Sequence, residues 1–576
     1  MRLMWEYTMR QKKLLFFNFI CVFGFILIEL GLPTLLAKMI DVGVRNKDWE
    51  YVKVMGLWMV VITAIGLTLH ILLTYVGARL NTAIIIDIRD DMFEKMQGFS
   101  HQEYEKLGVS SLITRTTNDA YQVMMFLGML LKTGFLTPMM FTASLYLIMR
   151  ESVSLSKFVF MAIPLLLIGV IVLARLSEPL SKLQQKNLDK LNMILRENLS
   201  GLRVVRAFVN EDFQEKRFKK VNENYASSST RLFSLVAAAQ PAFYFLFNII
   251  MVLVIWFGSK QIELGTLEVG KLLSFIEYVF HALFSFMLFA SVFMMYPRAA
   301  VSAQRIQEVL DTSSSIVEPE EGVIETSTHG VLEFKNVTFA YPGATESPVI
   351  RDVSFTANPG ETVAFIGSTG SGKSTLIQLI PRFYDTTKGE VLIDGVNVKD
   401  YKLADLRAKI GYIPQKALLF TGTIRDNLRF GKLDATEEDF LYAAEVAQAT
   451  EFISQKEHGF DEMLSEGGSN FSGGQKQRLA IARAIIRRPD IYVFDDSFSA
   501  LDYKTDATLR QRLKKETTDA TVLIVAQRIS TIMHADKIIV LNEGDVVGSG
   551  THQELLKNCG IYYDIAASQL SKEELA

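Results

Sequence analysis

The chain has 576 residues, enough for more than one domain, and 49% of them are hydrophobic. Its formal net charge is only −3, so no strongly basic field indicates a partner made of nucleic acid. The two cysteines, Cys21 and Cys559, lie far apart in sequence, so neither a disulfide framework nor a cysteine-based metal site follows from them.

The first half of the chain contains six apolar runs, each long enough to cross a bilayer of about 30 Å as a helix of roughly 20 residues. The first run is too long for a signal-peptide core and has no clear small-residue cleavage site, so we expect a retained membrane span. Four runs contain a proline, which neighbouring helices can compensate in a membrane bundle. The predicted spans are Leu14–Ile40, Val54–Val76, Val123–Met149, Phe158–Leu176, Leu232–Phe257 and Leu272–Met295. The prolines are Pro33, Pro138, Pro164 and Pro241.

Two of the connections between the runs are long, polar and helical in pattern, Gly77–Gln122 and Ser177–Arg231. The second contains "LRENLSGLRVVRAFVNEDFQEKRFKK", which is rich in Lys and Arg, and so is the start of the chain. The positive-inside tendency therefore predicts that the amino terminus and both long connections are cytoplasmic. Six spans then return the chain to the cytoplasm near Pro297.

The composition changes after a polar connector at residues 311–330. Short β-rich stretches such as "TVAFIG", "IYVFDD" and "TVLIVA" then alternate with helical stretches, as is typical of an α/β domain. We therefore predict an all-α transmembrane domain of six helices over residues 1–310, a linker, and an α/β P-loop domain over residues 331–576.

The stretch "IGSTGSGKST" follows a predicted strand, opens a predicted helix and fits the phosphate-binding pattern G-x-x-x-x-G-K-[ST]. In this pattern glycines let backbone N–H groups surround phosphates, Lys373 reaches the β- and γ-phosphates, and Ser374 binds Mg²⁺. The strand–loop–helix context distinguishes it from a chance glycine-rich turn. The predicted ATP-binding residues are Gly367, Ser368, Thr369, Gly370, Ser371, Gly372, Lys373, Ser374 and Thr375.

Two further stretches carry chemistry. The strand "IYVFDD" ends in two carboxylates, and we expect Asp495 to hold Mg²⁺ through water. In "NFSGGQKQRLAIARAI" a Ser-Gly-Gly-Gln turn opens a helix, whose N–H groups and dipole favour a phosphate. Since the domain already has one phosphate loop, the second turn is useful if it serves another domain's nucleotide.

Together these motifs resemble the nucleotide-binding domain of ABC transporters, and six preceding spans resemble an exporter-type half-transporter. The resemblance implies that Tyr341 in "FAYPG" stacks on adenine and that Gln415 in "YIPQ" is the Q-loop glutamine, which also contributes to the magnesium site. It implies a D-loop ending at Asp502. It also identifies a signature motif, preceded by Phe471 where the family usually has Leu, and made of Ser472, Gly473, Gly474 and Gln475.

Two positions depart from the family pattern. Asp496 stands where the family has the Glu that activates water, and Gln527 stands where it has the switch-loop His. Asp is shorter than Glu by about 1.5 Å of bond length, and a 1 Å misplacement can cost roughly 10²-fold in rate. Gln can bind a γ-phosphate through its amide but cannot carry the charge of His. Either change alone fits neutral drift; both together predict a site that binds ATP well and hydrolyses it poorly.

In ABC dimers, by resemblance, the signature of one chain closes over the ATP of the other. The pattern therefore resembles the degenerate-site subunit of heterodimeric bacterial multidrug exporters. It implies a partner half-transporter with Glu and His in place and a degenerate signature. The expected cofactors are ATP and Mg²⁺, the expected cargo is small, amphipathic and drug-like or cationic, and the expected location is the cell membrane, with the nucleotide-binding domain cytoplasmic and no nucleic acid bound.

The resemblance also places coupling helices near Val109–Asn118 and Phe208–Phe213, and a loop that touches them at "SEGGS", Ser465–Ser469. Ionisable residues inside spans are costly, so Glu29, Lys132 and Glu277 are candidates for the substrate cavity. An interhelical ion pair or snorkelling toward the headgroups explains them as well. His70 and His281 are weaker candidates for the same cavity.

Two other functions compete with the heterodimeric exporter. The first is a homodimer that exports lipid or peptide with slow, Asp-based hydrolysis. The second is a non-hydrolysing, nucleotide-gated membrane protein, which the intact signature disfavours because that motif completes a hydrolytic site. The six predicted spans exclude the soluble ABC ATPases that act on DNA or ribosomes.

Overall fold

The computed structural model of the chain describes residues 2–324, 326, 328–344 and 346–571. These residues form two compact units, each considered by itself below. The first unit spans Met1–Gln97 and Ser110–Thr312, and the second spans Gly98–Val109 and Ser313–Ala576. The second unit thus takes in most of the predicted linker, residues 311–330, together with a short stretch from the first half of the chain.

The first unit is built of helices, and π-helical turns at Met39–Val44, Arg115–Asp119 and Leu130–Gly134 extend or join some of them. The helices up to the end of this unit are α1 (Arg2–Arg10), α2 (Lys12–Lys38), α3 (Trp49–Gln97), α4 (His101–Leu107, which belongs to the second unit), α5 (Val109–Thr114), α6 (Ala120–Met129), α7 (Phe135–Glu151), α8 (Val153–Ser200), α9 (Leu202–Ala207), α10 (Glu211–Ala237), α11 (Ala239–Glu263) and α12 (Val269–Asp311).

The six predicted spans are confirmed, because six helical segments of the described residues are long and apolar enough to cross a membrane. They run further than the apolar sequence does, since the polar connections predicted as helical continue the same helices. Pro241 falls in the first turn of α11, where no N–H bond is lost. The segments are Lys12–Val44, Trp49–Gln97, Val109–Glu151, Val153–Ser200, Glu211–Glu263 and Val269–Asp311.

The core of the first unit forms where α12 packs against α2 and α7. Tyr278 of α12 is fully buried, and its hydroxyl lies 2.6 Å from Thr34 Oγ1 of α2. This hydrogen bond satisfies a polar group that would be costly to leave unpaired in an apolar interior. Its fully buried neighbours on the same helix face are Phe275, Val279 and Ala282.

The second unit is an α/β domain, as predicted. Its strands are β1 (Leu332–Phe339), β2 (Ile350–Ala357), β3 (Thr362–Gly367), β4 (Lys388–Ile393), β5 (Val396–Asn397), β6 (Ile410–Ile413), β7 (Gly422–Thr423), β8 (Met463–Leu464), β9 (Ile491–Asp495), β10 (Thr521–Val525), β11 (Lys537–Asn542) and β12 (Asp545–Gly550). The remaining helices are α13 (Lys373–Gln378), α14 (Leu403–Ala408), α15 (Ile424–Arg429), α16 (Glu437–Val446), α17 (Thr450–Ser454), α18 (Gly473–Ile485), α19 (Tyr503–Glu516), α20 (Ile529–Ile532), α21 (His552–Asn558) and α22 (Gly560–Ala567).

The central sheet has the strand order β12-β11-β3-β10-β9-β6, and an antiparallel sheet has the order β2-β1-β4-β5. In the central sheet β11, β3, β10, β9 and β6 run parallel, while β12 pairs antiparallel at one edge. Both faces of the sheet are covered, because alternate residues of a strand pack into different hydrophobic cores. In β9, Ile491 and Val493 pack into one core, and Tyr492 and Phe494 pack into the other. The carboxyl ends of β3, β6, β9 and β10 therefore meet at one edge, the usual place for a ligand.

Candidate functional site

The predicted phosphate loop lies at the carboxyl end of β3 and leads into α13. Its backbone requires glycine at two points. Gly367 has φ +156°, and a Cβ there would lie 2.0 Å from the Leu541 carbonyl oxygen. Gly372, at the N-cap of α13, has φ +96°, and a Cβ would lie 2.6 Å from Ile350 Cδ1. A loop of this shape turns successive N–H groups inward, as phosphate binding needs.

Lys373 lies across the phosphate loop. Its Nζ donates hydrogen bonds to Gly367 O at 2.8 Å, Ser368 O at 2.7 Å and Ser371 Oγ at 3.2 Å. Burial lowers the pKa of Lys373, and the carboxylates of Asp496 and Asp495 oppose that shift. The ammonium group is thus held within the loop and beside two acids, where a phosphate would meet it.

The residues predicted to bind magnesium lie together. Ser374 Oγ donates to Asp495 Oδ1 at 2.8 Å, and the Tyr412 hydroxyl donates to Asp495 Oδ2 at 3.3 Å. Asp495 is 5% exposed, and burial raises its pKa. A hydroxyl beside a carboxylate is a fitting oxygen donor set for Mg²⁺, which would neutralise this buried acid when bound with ATP. Tyr412 is a residue of this site that was not predicted, because its position two residues before Pro414 in "YIPQ" carries no separate signal.

Asp496, Gln415 and Gln527, the three positions predicted to govern hydrolysis, are joined by hydrogen bonds. Asp496 Oδ2 accepts a hydrogen bond from Gln527 Nε2 at 2.8 Å and another from Gln415 Nε2 at 3.1 Å. Asp496 has φ +46°, a conformation that L-residues adopt at a cost of about 1–2 kcal/mol, and its N–H is held by Val525 O at 2.9 Å. Burial raises the pKa of Asp496, the hydrogen bond from Gln415 lowers it, and the charge of Asp495 raises it further.

Gln415 was predicted both as the Q-loop residue and as a contributor to the magnesium site. Because its Nε2 donates to Asp496, Oε1 is the amide atom that could serve a metal ion. Tyr341, predicted to stack on adenine, places its hydroxyl 3.0 Å from Thr375 Oγ1 at the end of the phosphate loop. Its ring meets that of Tyr384 edge-on, with 5.3 Å between centroids.

The signature turn forms the start of α18. Ser472 is the N-cap: its Oγ accepts from Gln475 N at 3.3 Å, while Ser472 N donates to Gln475 Oε1 at 3.0 Å. This reciprocal capping box fixes the turn. Ser472 and Gly473 are exposed, and no hydrogen bond in the described residues joins this turn to the phosphate loop of the same chain. Phe471 is 4% exposed, so it fills the apolar position that the family usually gives to Leu.

Two motifs near the signature are ordered by local capping. Asp502, the predicted D-loop residue, is the N-cap of α19 and accepts from Thr505 N at 3.0 Å. In the "SEGGS" loop, Ser465 Oγ donates to Asn470 Oδ1 at 2.9 Å. Lys476 of α18 donates to Gly467 O at 3.1 Å, so the loop is attached to the signature helix.

Helix α4 is a short helix that packs within the second unit, although it is flanked by helices of the first. His101 stacks on Phe383 with 4.5 Å between ring centroids, and Tyr384 donates its hydroxyl hydrogen to Glu105 Oε1 at 3.0 Å. Tyr384 in turn contacts Tyr341, so α4 is two side chains away from the phosphate loop.

This position bears on the first predicted coupling helix, near Val109–Asn118. That stretch forms α5 and most of a π-helical turn, while the helix that packs within the second unit is α4, His101–Leu107. The signal that could have found it is a capping box: Ser100 and Glu103 exchange hydrogen bonds at the start of α4, and Gly108 with φ +76° follows its end. For the second predicted helix, Phe208–Phe213, the structure gives a break between α9 and α10 with Phe208 and Phe213 exposed.

The ionisable residues predicted for a substrate cavity lie on three membrane helices or their π-helical turns. None of Glu29, Lys132 and Glu277 forms an ion pair or hydrogen bond in the described part of the chain, so the alternative of an interhelical ion pair finds no support there. Glu277 and His281 lie one turn apart on α12. The ring of His70 packs on Phe25 with 5.0 Å between centroids.

Comparison with known proteins gives matches along almost the whole chain. The ABC transporter transmembrane region matches residues 15–297, and the ABC transporter domain matches residues 350–499. An uncharacterized ABC transporter ATP-binding protein of Mycobacterium tuberculosis is 38% identical over 547 residues, 94% of each chain. A Staphylococcus aureus protein with a provisional name as a multidrug export ATP-binding/permease protein is 31% identical over 94% of this chain and 96% of its own.

The fold also matches that of a solved structure. A bacterial Atm1-family ABC exporter with ATP bound superimposes with a TM-score of 0.81, covering 97% of this chain and 99% of that one at 23% identity. At this identity the match concerns the fold alone. It agrees with an architecture of six membrane helices followed by an α/β nucleotide-binding domain.

Proposed function

Because the chain belongs to the ABC transporter family, as a multi-pass membrane protein of exporter type with an ATP-hydrolysing domain, we propose that it is one half of a heterodimeric exporter. In this proposal its own phosphate loop serves a degenerate site that retains ATP. Its signature turn completes a second site, where a partner subunit hydrolyses ATP. The cargo is a small amphipathic, drug-like molecule.

The observation that carries the proposal is the double hydrogen bond on Asp496. Gln415 and Gln527 both donate to one oxygen, Oδ2, so two amides hold the short carboxylate back at the end of β9. A general base must reach the water it activates, and loss of a positioned base costs about 10²–10⁴-fold in rate. By contrast, the groups that bind ATP are well placed: Lys373 lies in the loop and Ser374 bonds Asp495.

The signature turn supports the other half of the proposal. Its capping box leaves the start of α18 ordered and exposed, with the positive end of a 13-residue helix facing outward. Such a turn is ready to receive a phosphate that another chain supplies. This chain combines poorly placed hydrolytic residues with an ordered signature turn. It therefore suits a partner that has the family's hydrolytic Glu and His but a degenerate signature.

A second subunit is also favoured by an exposed apolar segment in the first unit. Helix α9 buries none of its residues, and the turn after it exposes Phe208 by 75% and Val209 by 82%. Phe213, at the start of α10, is 60% exposed. Exposed apolar groups that cluster in this way mark contact surfaces, and we assign this one, the second predicted coupling segment, to a partner half-transporter.

The same proposal gives orientation and coupling. The excess of Lys and Arg at the amino terminus and in the long connections favours a cytoplasmic amino terminus and nucleotide-binding domain. Helix α4 then acts as a coupling helix, because Glu105 and His101 contact Tyr384 and Phe383 close to the nucleotide motifs.

The preference for cationic or amphipathic cargo is supported by Glu29 and Glu277, which lie on the membrane helices α2 and α12. Acidic side chains without an ion-pair partner inside membrane helices attract a positive group. The multidrug export name of a relative at 31% identity points to the same class of cargo.

The test compares ATP hydrolysis by the chain alone, by the chain co-expressed with its genomic neighbour, and by the pair carrying Asp496→Asn. We expect the chain alone to be nearly inactive, the pair to be active, and Asp496→Asn to change the pair's rate by less than about twofold, since the group that catalyses hydrolysis lies on the partner. Brisk hydrolysis by the chain alone that Asp496→Asn abolishes would overturn the proposal in favour of a homodimer.

A further inference from the structure

Helix α22, the last helix in the described part of the chain, is firmly anchored to the nucleotide-binding unit. Tyr562 and Ala566 of α22 are fully buried, and the Tyr562 hydroxyl lies 2.6 Å from His552 Nδ1. After the helix, Gln569 N donates to Ala566 O at 3.0 Å, and Leu570 packs against the same core. The backbone of Gln569 therefore has a fixed position, although this residue lies outside every family motif named above.

The side chain of Gln569 contacts the backbone on both sides of Arg528. Its Oε1 accepts from Ile529 N at 2.8 Å, and its Nε2 donates to Gln527 O at 2.8 Å. A side-chain amide has an acceptor oxygen and an NH₂ donor group, so it can bond the Ile529 N–H and the Gln527 carbonyl at the same time. Helix α20 needs the first contact, because its N-cap, Arg528, makes no side-chain capping bond.

These two bonds fix the peptide from which the Gln527 side chain extends to Asp496 Oδ2, 2.8 Å away. We propose that Gln569 is a positioning residue for Gln527: it holds the switch loop so that the Gln527 amide stays beside Asp496 and the γ-phosphate of bound ATP. This inference rests on the proposed role of Gln527 as the switch residue. The side-chain hydrogen bonds of Gln569 go to Ile529 N and Gln527 O, and within the described residues none goes to the phosphate loop or to Asp496.

The test measures how well the full-length chain in nanodiscs distinguishes a γ-phosphate. A fluorescent ATP analogue is displaced by Mg²⁺ with AMP-PNP or with ADP, and the ratio of the two affinities is the readout. Gln569→Ala removes both hydrogen bonds. Gln569→Glu keeps the acceptor for Ile529 N but sets a second oxygen against Gln527 O. Ser568→Ala is the matched control, since the Ser568 hydroxyl donates locally, to Ile565 O at 2.7 Å.

We expect both Gln569 variants to lower the ratio by about 3- to 10-fold, the range of one net hydrogen bond to the phosphate. ADP affinity should stay at the wild-type value, and so should the ratio in Ser568→Ala. Equal losses of AMP-PNP and ADP affinity would overturn the proposal, because they would show a general structural role. A wild-type ratio in Gln569→Glu would overturn it as well.

A double-mutant cycle shows whether Gln569 acts through Gln527. If it does, Gln527→Ala lowers the ratio and adding Gln569→Ala lowers it no further. Additive losses, or a loss in Gln527→Ala with none in Gln569→Ala, would refute the positioning role while leaving the switch role intact. A wild-type ratio in Gln527→Ala would instead refute the switch role, and the inference with it.

Discussion

Restoring the family residues at two positions should convert the site of this chain into a faster ATPase. In the structure the carboxylate of Asp496 is held by amides at 2.8 and 3.1 Å, and Glu would extend it by about 1.5 Å past these donors. Since a 1 Å displacement is worth roughly 10²-fold, we expect Asp496→Glu to raise kcat by about 10-fold and Asp496→Glu with Gln527→His by about 10²-fold. KM for ATP should change little, because Lys373 and Ser374 are untouched.

The assay is ATP hydrolysis by the purified chain in nanodiscs, with the dimer fraction checked by size. The chain alone is the right background, because its ordered signature gives two complete sites in a dimer of the repaired chain. Asp496→Asn is the matched control and should stay within about twofold of the wild-type rate. An unchanged kcat in the repaired double variant, with ATP binding and dimer formation intact, would refute the reasoning that these residues limit hydrolysis.

Three further predictions concern coupling, packing and pH. Tyr384→Phe keeps the ring contact with Tyr341 but loses the hydrogen bond to Glu105. ATP affinity should therefore hold within about twofold, while ATP-driven transport of a cationic dye falls about 3- to 10-fold. Glu105→Leu, which removes the acceptor, should match it, and an unchanged transport rate would count against coupling through α4. Gly270→Ala would set a methyl group 2.3 Å from Ala37 O and should destabilise the transmembrane unit by about 1–3 kcal/mol in thermal unfolding. Gly31→Ala is the control, because a methyl group there would meet nothing within 4 Å. Equal melting temperatures of the two variants would contradict this prediction. The hydrogen bond from Lys432 lowers the pKa of Asp439 to about 2. The stabilisation that the Asp439 carboxylate gives the folded state is therefore complete above about pH 4 and is lost as pH falls toward 2. Asp439→Asn should flatten the fall in melting temperature over that range, and a parallel fall in the variant would exclude Asp439 as a cause of the acid destabilisation.

The parts of the structure that the sequence predicted well are those with strong local signals. Six long apolar runs gave six membrane helices, and "IGSTGSGKST" gave a loop between β3 and α13. The end of β9 places Asp495 on Ser374, as the motif requires. These features depend on composition and spacing within a few residues, which a single sequence displays directly.

The parts that the sequence predicted poorly depend on tertiary contacts between distant segments. Nothing near Gln569 indicates that its amide reaches Gln527, 42 residues earlier. No local pattern shows either that α4 packs within the second unit while the helices before and after it belong to the first.

Two unlike ATP sites require that the hydrolytic residues of a chain can change without affecting its signature turn. The strand order of the central sheet allows such independent change. Asp496 and Gln527 follow β9 and β10, which are neighbours in the sheet, so two substitutions at adjacent strand ends alter one hydrogen-bonded group. The signature turn lies on α18 and is fixed by its own capping box. In the proposed heterodimer, changes at Asp496 can therefore weaken hydrolysis in one site while the signature turn of the same chain still completes the other.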